Sequence, residues 1–337
     1  MLWCYGVIMT STGDDALDAL RRSFAARPDI SARSVLVTIF GDSILPHRNQ
    51  VWLKDLIALC QPLGFSDRLI RTSIYRLQQE GWFTTERVGR QARYQLNSSV
   101  VADFESAETT IYQPPTLDWD NTFTLVVLPS SSPTGSPISA TVESPKSQSH
   151  HPDFSSANGT TQALRDLDFL ALAPEVLISP RCPPDTAFAA VKHHGLAESV
   201  SISTSKVDQI APFQHRLTID PPANLRTARD RYESFLRRYN QVPDLLASGT
   251  GPSADDFDHF VARTMAIHDY RRARLIDPDY PTALLDHSWP ANIAYSLAAT
   301  IHAATATASG RWVRSVLSPD MDAPEPPITK GRFPPLD

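Results

Sequence analysis

Residues 30–97 carry the densest apolar periodicity in the chain, and this pattern limits the folds open to the segment. Helical spacing runs through two stretches, SARSVLVTIFGD and VWLKDLIALCQPLG, and Pro62 and Gly64 break the second. Ser66 stands where it can cap a third helix, which Gly81 ends. The stretch WFTTERVGRQARYQL then alternates with period two around Gly89, as a hairpin does. Three short helices followed by a hairpin predict a winged helix-turn-helix.

The third helix has one apolar side and one polar side. Leu69, Ile70, Ile74 and Leu77 cluster on a helical wheel. The opposite side carries long donors and acceptors, which are Arg68, Arg71, Thr72, Tyr75 and Gln79, with Arg76 and Gln78 at the flanks. A major groove admits a helix of this width, and there Arg pairs with guanine and Gln with adenine. The alternative is a solvated amphipathic helix, although such a face usually mixes Glu with Lys and this one has no acid at its centre.

The hairpin adds a second basic feature next to the helix. Arg87, Arg90 and Arg93 surround Gly89 at its tip, where they can reach phosphates or a minor groove. An ordinary soluble hairpin tip is the alternative. The segment 29–98 holds nine Lys and Arg against six Asp and Glu, whereas the whole chain has a net charge of −6. A basic module inside an acidic chain favours binding to double-stranded DNA.

Composition and periodicity divide the rest of the chain and predict an α+β protein. The predicted parts are a leader at 1–28, for which Met9 is an alternative start and in which 12–28 is a candidate for a short polar helix; the winged helix at 29–98; a connecting helix or linker at 99–117; an α+β domain at 118–222 with a low-complexity insertion at 129–160; a helical domain at 223–318; and a flexible tail at 319–337. The insertion is rich in Ser and Pro and has almost no apolar period, so we expect it to be disordered.

Several classes of protein find no support in the sequence. Cys4, Cys60 and Cys182 lie far apart without ligand spacing, so we expect no metal site and a reducing cytoplasm. The chain has no GxSxG motif and no glycine-rich phosphate loop, and we therefore expect neither an enzyme nor a bound cofactor. The apolar start MLWCYGVIM is too short to cross a membrane, so no membrane partner is expected.

The motifs together resemble one known family. FGD, the WL pair, PLGFSDRLIRTSIYRLQQEGW and GRQARYQL resemble the opening domain of the PaaX-type repressors of phenylacetic acid catabolism. IYQPPTLDWDNTFTLVVL and LDFLALAPEVLISP resemble the start of that family's middle domain. YESFLRRY and IHDYRRARLIDPDYPTALLDHSWPANIAYSL resemble its C-terminal helices.

The resemblance implies an N-terminal winged helix-turn-helix, a middle ferredoxin-like (Cas2-like) domain and a helical C-terminal domain. It implies a homodimer that leaves its operator when an acyl-CoA such as phenylacetyl-CoA binds. It also implies that Arg68, Arg71, Thr72, Tyr75, Arg76, Arg90 and Arg93 face DNA. One departure is the insertion at 129–160, which replaces a short connection and part of a helix in the family.

The C-terminal segment HDYRRARLIDPDYP suggests where an anionic effector binds. The candidates in this segment are His268, Tyr270, Arg271, Arg272 and Arg274, since arginines bind CoA phosphates and aromatic rings can contact an acyl group. Arg237 and Arg238 on an earlier helix are further candidates. Salt bridges between domains are the alternative role for these arginines.

Two other functions remain as alternatives. A Cas2-like nuclease needs a metal-binding carboxylate at the end of its first strand, and here Asp118 and Asp120 precede that strand while LVVLPSS ends it. The other alternative is an acyl-CoA-binding protein without an operator.

Overall fold

The computed structural model describes residues 13–46, 48–115, 119–129, 154–247, 255–318 and 332–336. These residues form helices α1 Gly13–Ala25, α2 Ala32–Ile39, α3 Leu53–Cys60, α4 Asp67–Gln79, α5 Ser98–Tyr112, α6 Phe154–Asp166, α7 Pro184–His193, α8 Ala211–Ile219, α9 Ala223–Tyr239, α10 Val242–Ala247, α11 Asp256–Arg274 and α12 Ala291–Val316. They also form strands β1 Gln50–Trp52, β2 Phe83–Val88, β3 Gln91–Leu96, β4 Thr122–Val127, β5 Leu170–Ala173, β6 Val176–Ser179 and β7 Ser201–Lys206. The mixture of helix and antiparallel sheet confirms the predicted α+β class.

The chain divides into two compact units, and the division differs from the predicted domains. The first unit combines Met1–Pro115 with Thr227–Asp277 and Pro290–Asp337, and the second combines Thr116–Arg226 with Pro278–Trp289. The predicted winged helix and the predicted C-terminal helices therefore belong to one body. The physical reason is that α11 packs on α1, α2, α5 and α12, and is buried on nearly every side.

The N-terminal helices follow the apolar period closely. Ser31 caps α2 by accepting a hydrogen bond from the Ser34 amide at 3.2 Å, and Val35, Leu36 and Ile39 are buried. A single π-helical turn, Phe40–Ile44, continues α2. After α3, Gly64 takes a left-handed conformation with φ +88°, and a Cβ placed there would lie 2.8 Å from the Cβ of Ala25. Glycine is thus required at this turn for two reasons.

Strands β1, β3 and β2 form a three-stranded antiparallel sheet in that order. The pairing of Val88 with Gln91 leaves a two-residue turn, and Gly89 opens it with φ +64°. Only Phe83 of β2 is buried, so the outer strand of the hairpin stands in solvent. The order of three helices and then a hairpin is the one that the sequence predicted.

Both ends of the chain depart from prediction. The predicted leader contains α1, in which Leu17 and Phe24 are buried, so residues 13–25 belong to the folded unit. The segment predicted as a connecting helix or linker is largely helix α5, but it also contributes to the core, since Phe104, Ile111 and Tyr112 are buried. The predicted flexible tail includes residues 332–336, which are anchored through Arg332 and Phe333 to the first unit.

The second unit has the element order β-α-β-β-α-β. Its sheet is antiparallel throughout, with strand order β5-β6-β4-β7. One apolar cluster includes Val126, Leu164, Leu177 and Val191, and so joins the sheet to α6 and α7. The predicted insertion at 129–160 is too long at its C-terminal end, because α6 begins at Phe154 and Thr160 is fully buried. Residues 130–153 of that prediction lie outside the described residues.

The described residues contain neither a helix that could span a membrane nor a cluster of metal-binding side chains. None of the helices there combines the length and the apolar character that crossing a membrane requires. Across the same residues, no three His, Cys, Asp or Glu side chains gather in a way that would hold a metal ion.

Candidate nucleic-acid interface and effector pocket

Helix α4 presents a polar outer face because its inner positions fill the core. Ser66 caps the helix, and Ile70, Ile74 and Leu77 are completely buried against its neighbours. Every residue predicted for the outer face of this helix is exposed, namely Arg68, Arg71, Thr72, Tyr75, Arg76 and Gln79. Tyr75 is 58% exposed, which is high for an aromatic side chain.

Leu69 departs from the prediction. The helical wheel placed it with the apolar stripe, but it is 46% exposed and lies among the arginines. The outer face of α4 therefore combines cationic donors with two apolar side chains, Leu69 and Tyr75. Such a surface can contact phosphates and also the methyl groups and edges of bases.

The arginines of α4 form at most a weak ion pair with the described residues. Arg71 lies 3.9 Å from Asp67 one turn earlier, an exposed pair of small energetic value. Neither Arg68 nor Arg76 forms an ion pair with a residue in the described part of the chain. Thr72 donates its hydroxyl to the Arg68 carbonyl at 2.8 Å, which fixes its side chain along the helix. The long cationic side chains thus remain available to a polyanion.

The hairpin arginines divide into two kinds. Arg87 and Arg90 are exposed at the tip and, among the described residues, have no ionic partner. Arg93 is held instead, with Nη2 2.5 Å from Glu86 Oε2 and its guanidinium 5.6 Å from the centre of the Trp52 ring. The structure places all three on one hairpin, and among the described contacts Arg93 is the one held by neighbouring side chains.

Two of the candidate effector arginines, Arg272 and Arg238, are ion-paired within the first unit. Arg272 Nη1 lies 2.7 Å from Asp29 Oδ2, and Arg238 Nη1 lies 3.4 Å from Asp269 Oδ2. Asp269 also accepts a 2.5 Å hydrogen bond from Arg27. These arginines of α9 and α11 hold the helices of the first unit together, which is the alternative role that the sequence left open.

The remaining candidates differ in exposure. Arg237 is on the surface, 3.7 Å from Glu233 on its own helix. His268, Tyr270 and Arg274 are buried inside the first unit. His268 Nδ1 lies 2.8 Å from the Thr38 hydroxyl, and burial holds the pKa of this histidine well below its ordinary value.

Arg271 is the effector candidate that borders a cavity. Its Nε donates to the Thr38 hydroxyl at 2.8 Å and its Nη2 donates to the Ser34 carbonyl at 3.3 Å. Burial lowers the pKa of Arg271 to about 10, and the neighbouring Arg272 acts in the same direction. The cavity measures about 160 Å³ and its walls are mainly apolar, with Val37, Leu45, Trp82, Phe104, Ala107 and Ile267 among them. The carboxylates Asp42, Asp103 and Glu108 border it as well as Arg271.

Sequence reasoning missed a buried cluster of charged side chains around Asp42. Asp42 is buried between Arg263 and Arg332, and it accepts the Tyr112 hydroxyl at 2.6 Å. Burial by itself raises the pKa of Asp42, but Arg263 and Arg332 outweigh it and hold that pKa far below the ordinary range. One signal was visible, since Asp42 and Arg263 are single charges inside the apolar runs VTIFGDSIL and HFVARTMAI.

Comparison with known proteins finds matches to one family. The model of the PaaX-like protein matches residues 31–100, and the model of the PaaX-like protein C-terminal domain matches residues 223–315. The transcriptional repressor PaaX of Escherichia coli (strain K12) is 26% identical over 288 residues, which cover 84% of this chain and 83% of that protein. Both matched segments contribute to the first unit, and the curated relative spans most of the chain. By these matches the chain is similar to the PaaX-like proteins in both its N-terminal and its C-terminal segments.

Proposed function

We propose that the chain is a DNA-binding transcriptional repressor that reads its operator with α4. The observation that carries this is the outer face of α4, where exposed arginines without strong acidic partners stand on a fully buried apolar stripe. The repressor function of a relative that covers most of the chain supports the same conclusion. In this proposal residues 29–98 are a winged helix-turn-helix, with α4 in a major groove and the hairpin arginines Arg87, Arg90 and Arg93 beside it.

We further propose that the second unit is a ferredoxin-like, Cas2-like domain and that two chains act as a homodimer in the cytoplasm. The four antiparallel strands lie in the order β5-β6-β4-β7, so β4, the first strand of the unit in sequence, is next to β7, the last. This order supports the ferredoxin-like assignment. A dimer would present two copies of α4 to two half-sites separated by about one turn of DNA.

An acyl-CoA, such as phenylacetyl-CoA, is the proposed effector. The cavity beside Arg271 supports a role for this residue, because a cavity of about 150 Å³ is large enough to hold a benzene ring. In this proposal the acyl end enters the cavity and Arg271 donates to its carbonyl oxygen. Arg271 now bonds to Thr38 and Ser34 of α2, which packs on α4, so a change of partner would alter the support of the reading helix. The effector must bind the DNA-free arrangement more tightly than the bound one.

The test has two steps. The protein is first mixed with the DNA upstream of its own gene and of neighbouring genes, and binding is followed by mobility shift at increasing salt. We expect a specific complex whose affinity falls steeply as salt rises. Failure to retain any fragment at low salt would contradict the repressor proposal.

The second step adds CoA thioesters to the complex and, by calorimetry, to the protein alone. We expect phenylacetyl-CoA or a related thioester to release the DNA. Arg271→Gln should weaken effector binding at least about tenfold, while Arg311→Gln, an exposed arginine paired with Asp256, should bind as the unaltered protein does. Thioester binding without any bound DNA fragment would instead indicate an acyl-CoA-binding protein that has no operator.

A further inference from the structure

The C-terminal segment 332–334 is bound by the first unit in the manner of a peptide ligand. The Arg332 side chain is almost fully buried, although it stands only five residues before the end of the chain. Its Nη1 donates to the Asp42 carbonyl at 2.9 Å and its Nη2 donates to the Gly41 carbonyl at 3.1 Å. Its Nε donates to Glu108 Oε1 at 2.9 Å. Each of the three guanidinium nitrogens thus donates a hydrogen bond, two of them to backbone carbonyls and one to a carboxylate.

An aromatic ring completes the recognition of Arg332. The guanidinium carbon lies 4.2 Å from the centre of the Tyr112 ring, within the range of a cation–π contact. Its Nη1 is also 3.2 Å from Asp42 Oδ1. The Arg332 side chain therefore contacts backbone carbonyls, two carboxylates and the face of an aromatic ring, as arginine does in a site that is specific for it.

Phe333 occupies a second, aromatic compartment. Its ring lies 5.1 Å from Tyr112, 5.3 Å from Tyr295 and 5.2 Å from His302, measured between ring centres. Its amide donates to the Tyr112 carbonyl at 3.1 Å. The Phe333 backbone has φ +56°, a conformation that a phenylalanine keeps only where its surroundings hold it.

Pro334 is the third residue in contact. Its carbonyl accepts the Tyr295 hydroxyl at 2.5 Å. The tripeptide is thus held both by pockets for its side chains and by hydrogen bonds to its main chain. Peptide-binding sites obtain specificity from the first kind of contact and affinity from the second.

The residues that contact the tail are also held by other parts of the first unit. Asp42 is held by Arg263, whose Nε lies 2.7 Å away, and by the Tyr112 hydroxyl. Tyr112 and Tyr295 stand on α5 and α12, two helices of the same unit. Asp42, Tyr112 and Tyr295 therefore have supports other than the tail.

From these contacts we infer that the surface formed by Gly41, Asp42, Glu108, Tyr112, Tyr295 and His302 is a peptide-binding site for an Arg-Phe-Pro sequence, and that its occupant is the C-terminus of this chain. We call this surface the tail socket. The bound tail joins the turn after α2 to α5 and α12, so it fastens a helix that supports α4. This inference concerns the binding of a peptide and needs no DNA, although Gly41, Asp42, Glu108 and Tyr112 of the socket also line the cavity beside Arg271.

The test uses the full chain with its own ligand disabled. In the Arg332→Ala/Phe333→Ala protein the socket is open, and the synthetic peptide KGRFPPLD is added in trans. We expect the peptide to bind the variant at least about tenfold more tightly than the unaltered protein, whose own tail competes. The melting temperature of the variant should rise with peptide concentration. A peptide in which alanine replaces the arginine should do neither, since it lacks the guanidinium.

Two outcomes would overturn the inference: equal affinity of the two peptides for the variant, or no binding to a variant that is folded by circular dichroism. If the variant does not fold, trypsin digestion of the unaltered protein decides. We expect the Arg332–Phe333 bond to be cut at least about tenfold more slowly in the folded protein than in urea, because the site must open first. Equal rates would contradict a bound tail.

Discussion

Asp42 and Arg263 are 221 residues apart in sequence and form a buried ion pair, with Arg263 Nε 2.7 Å from Oδ2 and Nη2 3.1 Å from Oδ1. Asp42 lies in the turn after α2 and Arg263 in the middle of α11. The pair therefore connects the two segments that the family models match. In this protein the predicted DNA-reading segment and the C-terminal helices share one core.

The first prediction concerns this pair. Asp42→Asn keeps the shape but leaves Arg263 and Arg332 facing a neutral amide. Because buried cations lose their counter-charge, we expect the free energy of unfolding to fall by about 3–5 kcal/mol. Urea denaturation measures the change. Asp256→Asn removes an exposed pair with Arg311 and should change the free energy of unfolding far less. Equal effects of the two substitutions would show that the buried charge is not held by its partners.

The second prediction concerns DNA affinity. Arg71→Ala and Arg76→Ala should each weaken binding, and each should reduce the dependence of log affinity on log salt by about one if the side chain contacts a phosphate. Melting temperatures should change little, since both side chains are exposed. Arg216→Ala, an exposed arginine on α8 that pairs with Asp220, is the matched control. Binding that survives both α4 substitutions unchanged would remove this helix from the interface.

The third prediction concerns pH. Burial lowers the pKa of His302 to about 3, although Asp42 acts in the opposite direction. An unfolded histidine has a pKa of about 6.5. Between these values the unfolded chain binds a proton that the folded protein does not, so stability is full above about pH 6.5 and falls as pH decreases. We expect His302 to contribute a loss of up to about 1.4 kcal/mol per pH unit in this range.

Urea unfolding at about pH 5 and pH 7 tests this, with His302→Gln as the variant. The variant should show a weaker dependence on pH, and the remaining slope should include His268, whose pKa is also lowered by burial. A variant slope equal to that of the unaltered protein would mean that His302 carries its proton equally in both states.

The fourth prediction concerns the turn after α3. Gly64→Ala places a methyl group 2.8 Å from the Ala25 Cβ and also strains the left-handed backbone. Gly195→Ala has φ +76° but no atom within 4 Å of the new methyl, so it reports the backbone cost alone, about 1 kcal/mol. We expect Gly64→Ala to lower stability clearly more than Gly195→Ala in denaturant unfolding. A smaller effect at Gly64 would show that α1 moves aside freely.

Local patterns predicted much of the first unit. Ile70, Ile74 and Leu77 are buried because an apolar stripe of helical period has to meet a core, and the hairpin turn follows from the glycine between two alternating runs. Leu69 was misplaced because a helical wheel gives direction around the axis but does not tell how wide the covered sector is.

Local patterns could not predict which residues far apart in the sequence come into contact. No spacing rule connects Asp42 to Arg263 or to Arg332, because these residues meet only after the chain has returned twice to the same body. The same limit explains the tail, where a proline-rich composition predicted disorder while two side chains anchor it. Effector candidates chosen from one arginine-rich segment likewise proved to include ion-paired arginines and one, Arg271, at a cavity.

The two guanidinium partners of Asp42 also set the order of events during synthesis. The ribosome completes α2 and the turn that carries Asp42 long before it adds Arg263, and Arg332 follows later still. Until Arg263 is present, the carboxylate of Asp42 lacks its closest cation and the apolar side of α2 lacks α11. The first unit therefore closes only after the 221 residues that separate this pair have been synthesised, with the slow closure that distant pairings impose.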